Sequence, residues 1–363
     1  MNNERIPPAE FRRIQRAREA LRNRLPGGLN YVLAVSGGAD SLALAAVCGQ
    51  MRRDGDLTGQ VTAAIVDHQL QSGSAEAAEG AARACRELGV DRVVIRRIVV
   101  PGKGTENDAR EARYRELELV RQEVGAEFVL TAHTANDQAE QVLLALARGS
   151  GTRAIAGIPD KRGRVLRPFL DVWREDTEAV CEAYGVEPWE DPTNADPEFA
   201  LRNKVRLELL PEITRILGDG ALANLVRTAT QARHDAEHLD NEAQAALQAC
   251  ALTETPEVLE GPRASGRAPM QWDLDRYLLK NAPQAIRTRV LRLAAQTVGG
   301  RAPTAERTAA LERLTAGEGS AGPIQLDGYV TAHRIKTTPD HSVIRFIGRP
   351  PAAASDASTA SDA

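Results

Sequence analysis

The chain has 363 residues, enough for two domains and a small third one. Apolar residues make up 42% and charged residues 26%, the profile of an ordinary globular protein, and no apolar run of about 18 residues exists to form a transmembrane helix. A net charge of −4 excludes bulk attraction to nucleic acid, and the N-terminal MNNERIPPAEFRRIQRAR lacks the apolar stretch of a secretory signal.

In chain order, residues 1–26 carry seven Arg against three Glu and read as a basic N-terminal helix. Such a face suits a polyanion, or is a solvated helix surface. Residues 31–35 (YVLAV) form a short apolar run ending at Ser36-Gly37-Gly38, and a helical pattern follows with Leu42, Leu44, Ala45, Val47, Cys48 and Met51 on its apolar positions. Further strands are expected at 61–66, 92–100 and 128–130, with helices at Ser74–Leu88, Asn107–Val124 and Gln138–Ala147. This alternation implies an α/β fold with a doubly wound parallel sheet, whose ligands bind beyond the carboxyl ends of the strands. Ser36–Ser41, Asp67–His68 and His133–Asp137 all fall there.

Asp171–Tyr184 reads as a helix, and the Pro- and Asp-rich stretch 187–200 as an ordered loop. Residues 203–216 look helical apart from Pro211, and 219–250 form a long Ala-rich helix. Residues 252–268 read as a connector, 272–315 as helical again, and PIQLDGYVTAHRI as a strand-like region. Low-complexity composition marks the last 13 residues, PAAASDASTASDA, as a disordered tail. The expected divisions are 1–26, 27–217, a mostly helical 218–350, and 351–363. Cys48, Cys85, Cys181 and Cys250 lie far apart with no CxxC pair, which favours buried free thiols in a reducing compartment.

The chemistry is concentrated in Ser36-Gly37-Gly38-Ala39-Asp40-Ser41, which follows a buried strand and opens a helix. Glycines let the backbone turn tightly around an anion, and the helix start aims free N–H groups at it. Ser36 and Ser41 add hydroxyl donors. No GK[ST] is present, so this is not a Walker A loop. Asp40 would repel a bare phosphate, and makes sense as a ligand of Mg²⁺ bridging phosphates.

SGGxDS resembles the signature of the PP-loop ATP pyrophosphatases, a Rossmann-like family that cleaves ATP between its α- and β-phosphates and adenylates a substrate. Other segments narrow the resemblance to the tRNA(Ile)-lysidine synthase family: Val66-Asp67-His68-Gln69-Leu70; Gly104 to Tyr114 (GTENDAREARY); Thr131 to Glu140 (TAHTANDQAE), followed by Arg148-Gly149-Ser150-Gly151; Arg167-Pro168-Phe169-Leu170; and Asp191 to Arg206. The similarity runs in order over about residues 30–215. Asn136 stands where the family usually has an acidic residue, Gln141 replaces a Thr, and Lys204 stands where Arg is common.

The resemblance implies ATP, Mg²⁺, L-lysine and tRNA(Ile) with a CAU anticodon as the reactants, in the cytoplasm, as a monomer or a homodimer. The wobble cytidine would be adenylated and then attacked by lysine, giving lysidine, AMP and pyrophosphate. Asp67 and His68 join Ser36–Ser41 at the nucleotide, and Asp40 and Asp137 are the metal candidates. Arg110 and Arg113 share one predicted helix face, for phosphates or the target base, or for salt bridges with Glu106 and Glu111. Catalytic roles fall to Asp40, Arg113, His133 and Asp137. Glu140 holds the lysine amine or takes its proton, unless it is merely an exposed carboxylate. Arg148, Asn194, Arg202, Asn203, Lys204 and Arg206 are expected at substrate, the last group splaying over two faces toward RNA phosphates or solvent. Arg287 and Arg289, in PQAIRTRVLRL, are expected under the tRNA stem. Trp272 and Tyr277 either stack on bases or fill a core. The alternatives are another PP-loop enzyme, such as a tRNA thiolation enzyme, and a nucleotide-binding module without catalysis.

Overall fold

The computed structural model describes residues 8–69, 73–98, 106–149, 152–260 and 268–349. The expected C-terminal tail, Leu70, the Val99-Val100 end of the third strand, Gly104, Thr105 and Ser150-Gly151 lie outside them. The chain divides into two units, Met1–Arg233 and His234–Ala363.

The first unit comprises α1 (Pro8–Arg24), β1 (Tyr31–Val35), α2 (Ala39–Arg53), β2 (Val61–Asp67), α3 (Ser74–Glu87), β3 (Arg92–Arg97), α4 (Glu106–Glu123), β4 (Phe128–Leu130), α5 (Ala135–Ala147), α6 (Thr152–Ile155), β5 (Lys161–Arg162), β6 (Val165–Leu166), α7 (Arg174–Ala183), α8 (Leu201–Lys204) and α9 (Leu210–Leu217), and the start of α10 (Gly220–Cys250). Its sheet has the order β3-β2-β1-β4-β6-β5. The first five of these strands run parallel, and only the edge strand β5 is antiparallel. β1 is buried along its whole length because helices cover both faces. Tyr31, Leu33 and Val35 face a core built with α1, α2, α3 and α7, and Val32 and Ala34 face Leu117 and Val120 of α4. The strand order reverses between β1 and β4, and a crevice opens at their carboxyl ends.

Residues 1–26 do not stand apart. Ile14, Ala17 and Leu21 of α1 enter the core of the first unit. Its arginines are spent internally: Arg13 on Glu175, Arg16 on Asp176, Arg18 and Arg22 on Asp56, and Arg24 on Asp171. The basic face is therefore largely an ion-pair seam.

A π-helical stretch, Val205–Leu209, joins α8 to α9. Pro211 has no N–H for the carbonyl four residues back, so the helical ladder opens there instead of breaking.

In the second unit β7 (Glu257–Val258), β8 (Met270–Asp275), α11 (Arg276–Asn281), α12 (Gln284–Thr297), α13 (Ala305–Ala316), β9 (Ile324–Leu326), β10 (Val330–Lys336) and β11 (Ser342–Gly348) follow the end of α10. The strands form an antiparallel sheet, β7-β8-β11-β10-β9. This corrects the expected helix at 272–275. Trp272 and Leu274 alternate inward as a strand and pack with Val290, Leu291 and Leu311 of the helices. Trp272 is core, and its Nε1 donates to the Thr253 carbonyl across 3.1 Å. Tyr277 is exposed. Among the described residues no helix is long and apolar enough to cross a membrane.

Candidate active site

The loop between β1 and α2 has the conformation its glycines predict. Gly37 has φ +89°, open to glycine without strain. The N–H groups of Ala39 and Asp40 open α2 and have no helical acceptor, so they can serve an anion. The two serines differ from expectation. Ser41 is buried, donates Oγ to the Gly38 carbonyl across 2.9 Å and accepts the Ser36 N–H. It braces the loop by tying the Ser36 N–H to the Gly38 carbonyl through one hydroxyl, while Ser36 stays exposed. The 187–200 loop hangs on this turn through Trp189 N to Gly37 O, 2.9 Å.

The crevice holds about 550 Å³. The phosphate loop forms one wall. His68, Arg110, Arg113 and Tyr114 form another, and His133, Asp137, Asp191, Asn194 and Arg206 contribute too. Arg110 lies over the Tyr114 ring at 5.5 Å. The Glu106 side chain of the salt-bridge alternative lies outside the described residues. Burial, and then Arg110, draw the Arg113 guanidinium below its ordinary value against the pull of Tyr114. Two guanidinium groups lining the same crevice as an anion-binding turn suit a polyphosphate.

Asp67 is buried at the end of β2. One oxygen accepts the Gln69 N–H at 2.9 Å, and the other has no hydrogen bond. His68 reaches the crevice with its Nδ1 unpartnered, and burial, then Arg113, lower its pKa. His133 accepts or donates at Nδ1 with Thr131 Oγ1, 2.9 Å away. Burial lowers its pKa to about 4, Arg167, Arg202 and Arg110 adding to the effect against Asp137.

Asp40 reaches α7. Its Oδ1 accepts from Thr177 Oγ1 at 2.6 Å and its Oδ2 from Arg174 Nη2 at 3.3 Å. Burial raises its pKa, outweighing those partners. Asp137 caps the start of α5, accepting from Thr134 N at 2.8 Å, and its other oxygen faces Arg202 at 3.2 Å and Arg206 at 3.5 Å. Burial would raise its pKa, but Arg202, His133 and the Thr134 N–H hold it below the ordinary value.

Glu140 is fully buried and takes the Nε groups of Arg202 and Arg206, each at 2.6 Å. The exposed-carboxylate alternative is excluded. Arg202 and Arg206 do not splay: four residues apart, they converge on Glu140 and Asp137. Lys204 alone turns away, to Glu198 at 2.8 Å. Asn203 is also buried, its amide donating to the Thr193 and Asp196 carbonyls at 2.7 and 2.9 Å. It fastens the loop and leaves no donor for a substrate. Arg148, at the end of α5, is exposed and does not line the crevice.

Behind this network lies a second cavity of about 540 Å³, bordered by Asn136, Glu140, Arg174, Arg206, Leu210 and Leu222. The two spaces share Arg206. Arg174 and Thr177 carried no local signal in the sequence, because their significance comes only from contact with Asp40. Asn136 accepts the Arg174 N–H at 2.9 Å, a bond that fixes α7 against α5.

In the second unit, Arg287 pairs with Glu312 at 3.1 Å and donates to the Lys280 and Ala282 carbonyls, and Arg289 pairs with Asp240 at 3.1 Å. Both act within the unit, contrary to the expectation that they face RNA. All four cysteines are buried and free, and burial pushes the thiols of Cys48, Cys85 and Cys181 up to about 12.

A glycine turn at the switch point of a parallel sheet, with Arg110 and Arg113 lining the same crevice, defines a nucleotide-binding α/β domain. Comparison with known proteins agrees. The model of the PP-loop domain matches residues 12–213, and that of the TilS substrate binding domain matches residues 263–337. A tRNA(Ile)-lysidine synthase of Thermobifida fusca is 44% identical over 85% of this chain and 90% of that protein. One from Streptomyces coelicolor is 39% identical over 85% and 84%. The chain belongs to the tRNA(Ile)-lysidine synthase family, built on a PP-loop domain. In fold, the chain is similar to the U34-tRNA thiolase NcsA from Methanococcus maripaludis, with a TM-score of 0.50, 14% identity and coverage of 62% of this chain and 80% of that one.

Proposed function

We propose that the protein ligates L-lysine to C2 of the wobble cytidine of tRNA(Ile) bearing a CAU anticodon, consuming ATP. The observation that carries this reading is that relatives of that name match across both units, while the first unit assembles an anion-binding turn, arginines and a buried carboxylate around adjoining spaces. The cytidine C2 oxygen attacks the α-phosphate and the bond to pyrophosphate breaks. The lysine ε-amine then attacks C2, loses a proton, and the bond to AMP breaks. Arg110 and Arg113 and the Ala39 and Asp40 N–H groups neutralise the phosphates, and an in-line displacement gains most from such positioning.

The donor set fits Mg²⁺ of the phosphate-bridging kind. Asp40 and Asp137 both line the crevice, and among the described residues no cluster of three or more His, Cys, Asp or Glu forms a self-sufficient cage. Bound there, Mg²⁺ would neutralise the charge developing on the phosphates. The cavity behind Glu140 supports the lysine reading: Arg174 and Arg206 for a carboxylate, and Leu210 and Leu222 for methylenes. Lysine's amine has a reference pKa near 10.4 and must lose its proton before attack. The buried, separate cysteines do not favour a thiolation enzyme. A cytoplasmic location completes the proposal.

The test is incubation with ATP, labelled lysine and tRNA(Ile)(CAU), then digestion. A labelled nucleoside is expected. Pyrophosphate release without tRNA, or no labelled nucleoside, refutes the reading.

A further inference from the structure

Both side-chain partners of Asp40 come from α7, and they are unlike. The Thr177 hydroxyl is fully buried, its bond to Oδ1 is short at 2.6 Å, and the same oxygen lies 2.8 Å from the Arg174 carbonyl, in one of the two rotamers open to a helical threonine. The Arg174 bond is long at 3.3 Å, its side chain is 32% exposed, and it borders the second cavity. Thr177 is thus the fixed contact and Arg174 the exchangeable one. Asn136 sets α7 in place by accepting the Arg174 N–H, and Cys181 Sγ on the same helix lies 3.4 Å from the Ala39 carbonyl. A continuous line therefore runs from α5 through the start of α7 to the phosphate loop.

We propose that Thr177 is a positioning residue for Asp40, its hydroxyl fixing the rotation of the carboxylate so that the group is presented to the cation–nucleotide complex already ordered, with Asn136 setting the depth of α7 behind it. The proposal rests on the reading of Asp40 as a metal ligand. A carboxylate free to turn must be ordered when it binds an ion that demands strict geometry. Partners behind a ligand typically change metal affinity 10- to 100-fold.

The experiment uses the full chain, without tRNA or lysine, and reads binding of Mn²⁺ with α,β-methylene-ATP by electron paramagnetic resonance, beside thermal melting. Thr177→Val should weaken Mn²⁺ binding at least about tenfold, Thr177→Ser should return to within about threefold of the parent, and Asp40→Asn should weaken it as well. The proposal is overturned if Thr177→Val binds like the parent while Asp40→Asn is weak. It is also overturned if Thr177→Ser is as weak as Thr177→Val and both melt early, since the side chain would then serve packing alone. If Asp40→Asn binds like the parent, the metal reading of Asp40 fails and the proposal goes with it.

Discussion

Arg206 donates its Nε to the Glu140 carboxylate across 2.6 Å, and the acceptor is fully buried. Arg202 makes the matching bond to the other oxygen. A charge this deep is tolerated only because both its oxygens are taken. Glu140→Gln keeps the shape and removes the charge, leaving two guanidinium groups to share Asp137. Breaking such a buried pair costs about 3–5 kcal/mol, so an early urea midpoint is expected. The half-saturating lysine concentration should rise, because Arg206 at the cavity edge loses its anchor, while that of ATP holds. A stability loss with unchanged lysine dependence would make Glu140 purely structural.

Asp40→Ala should lower tRNA-dependent AMP formation by about 100-fold or more, as when a charge-stabilising group is removed from a reacting phosphate. The fold should survive. The Thr177 hydroxyl keeps an alternative acceptor in the Arg174 carbonyl, 2.8 Å away. Near-normal turnover at saturating Mg²⁺ would remove Asp40 from the site.

Asp137→Asn should impair adenylation more than Asn136→Ala does. Asp137 faces the crevice and carries charge to Arg202 and Arg206. Asn136 spends its oxygen on a backbone N–H, a task that needs no charge, which is why an amide suffices there. Single-turnover AMP formation measures both, and small equal effects would make the whole segment structural.

His133 offers a pH test. The unfolded chain takes up this proton near pH 6.5, whereas the folded one resists it down to about 4. Its contribution to stability is full above the unfolded value, declines as pH falls below it, and is lost once pH passes below the folded value. The urea midpoint should therefore fall between pH 6.5 and 4 more steeply in the parent than in His133→Gln. Equal slopes would show that His133 is not held neutral by its surroundings.

For RNA, the cations left unpaired matter. Arg148 is exposed and has no ion pair among the described residues, whereas Arg287 is committed to Glu312 and two carbonyls. If Arg148 neutralises a phosphate, Arg148→Ala should reduce the log–log salt slope of tRNA binding by roughly 0.7–0.9. Arg287→Ala should leave the slope alone and lower the melting temperature. The reverse outcome would return the RNA surface to the second unit.

The parallel order of strands and helices, the crevice at their carboxyl ends and the phosphate turn were all legible in the amino-acid sequence. Each follows from local rules: a buried run such as YVLAV, a 3.6-residue period, a glycine at positive φ. The rest depended on which faces meet at a distance. Arg174 reaches Asp40 across 134 positions, and Arg202 reaches Glu140 across 62. The basic residues of α1 and α12 looked available in sequence, yet folding set carboxylates against them. The strand at Met270–Asp275 was hidden because its partner, Ser342–Gly348, lies some seventy residues on, and a short alternating segment acquires strand character from its pairing. Charge type is written locally, but whether a charge is spent on the fold or kept for a ligand is decided by the packing that brings its partner within about 3 Å.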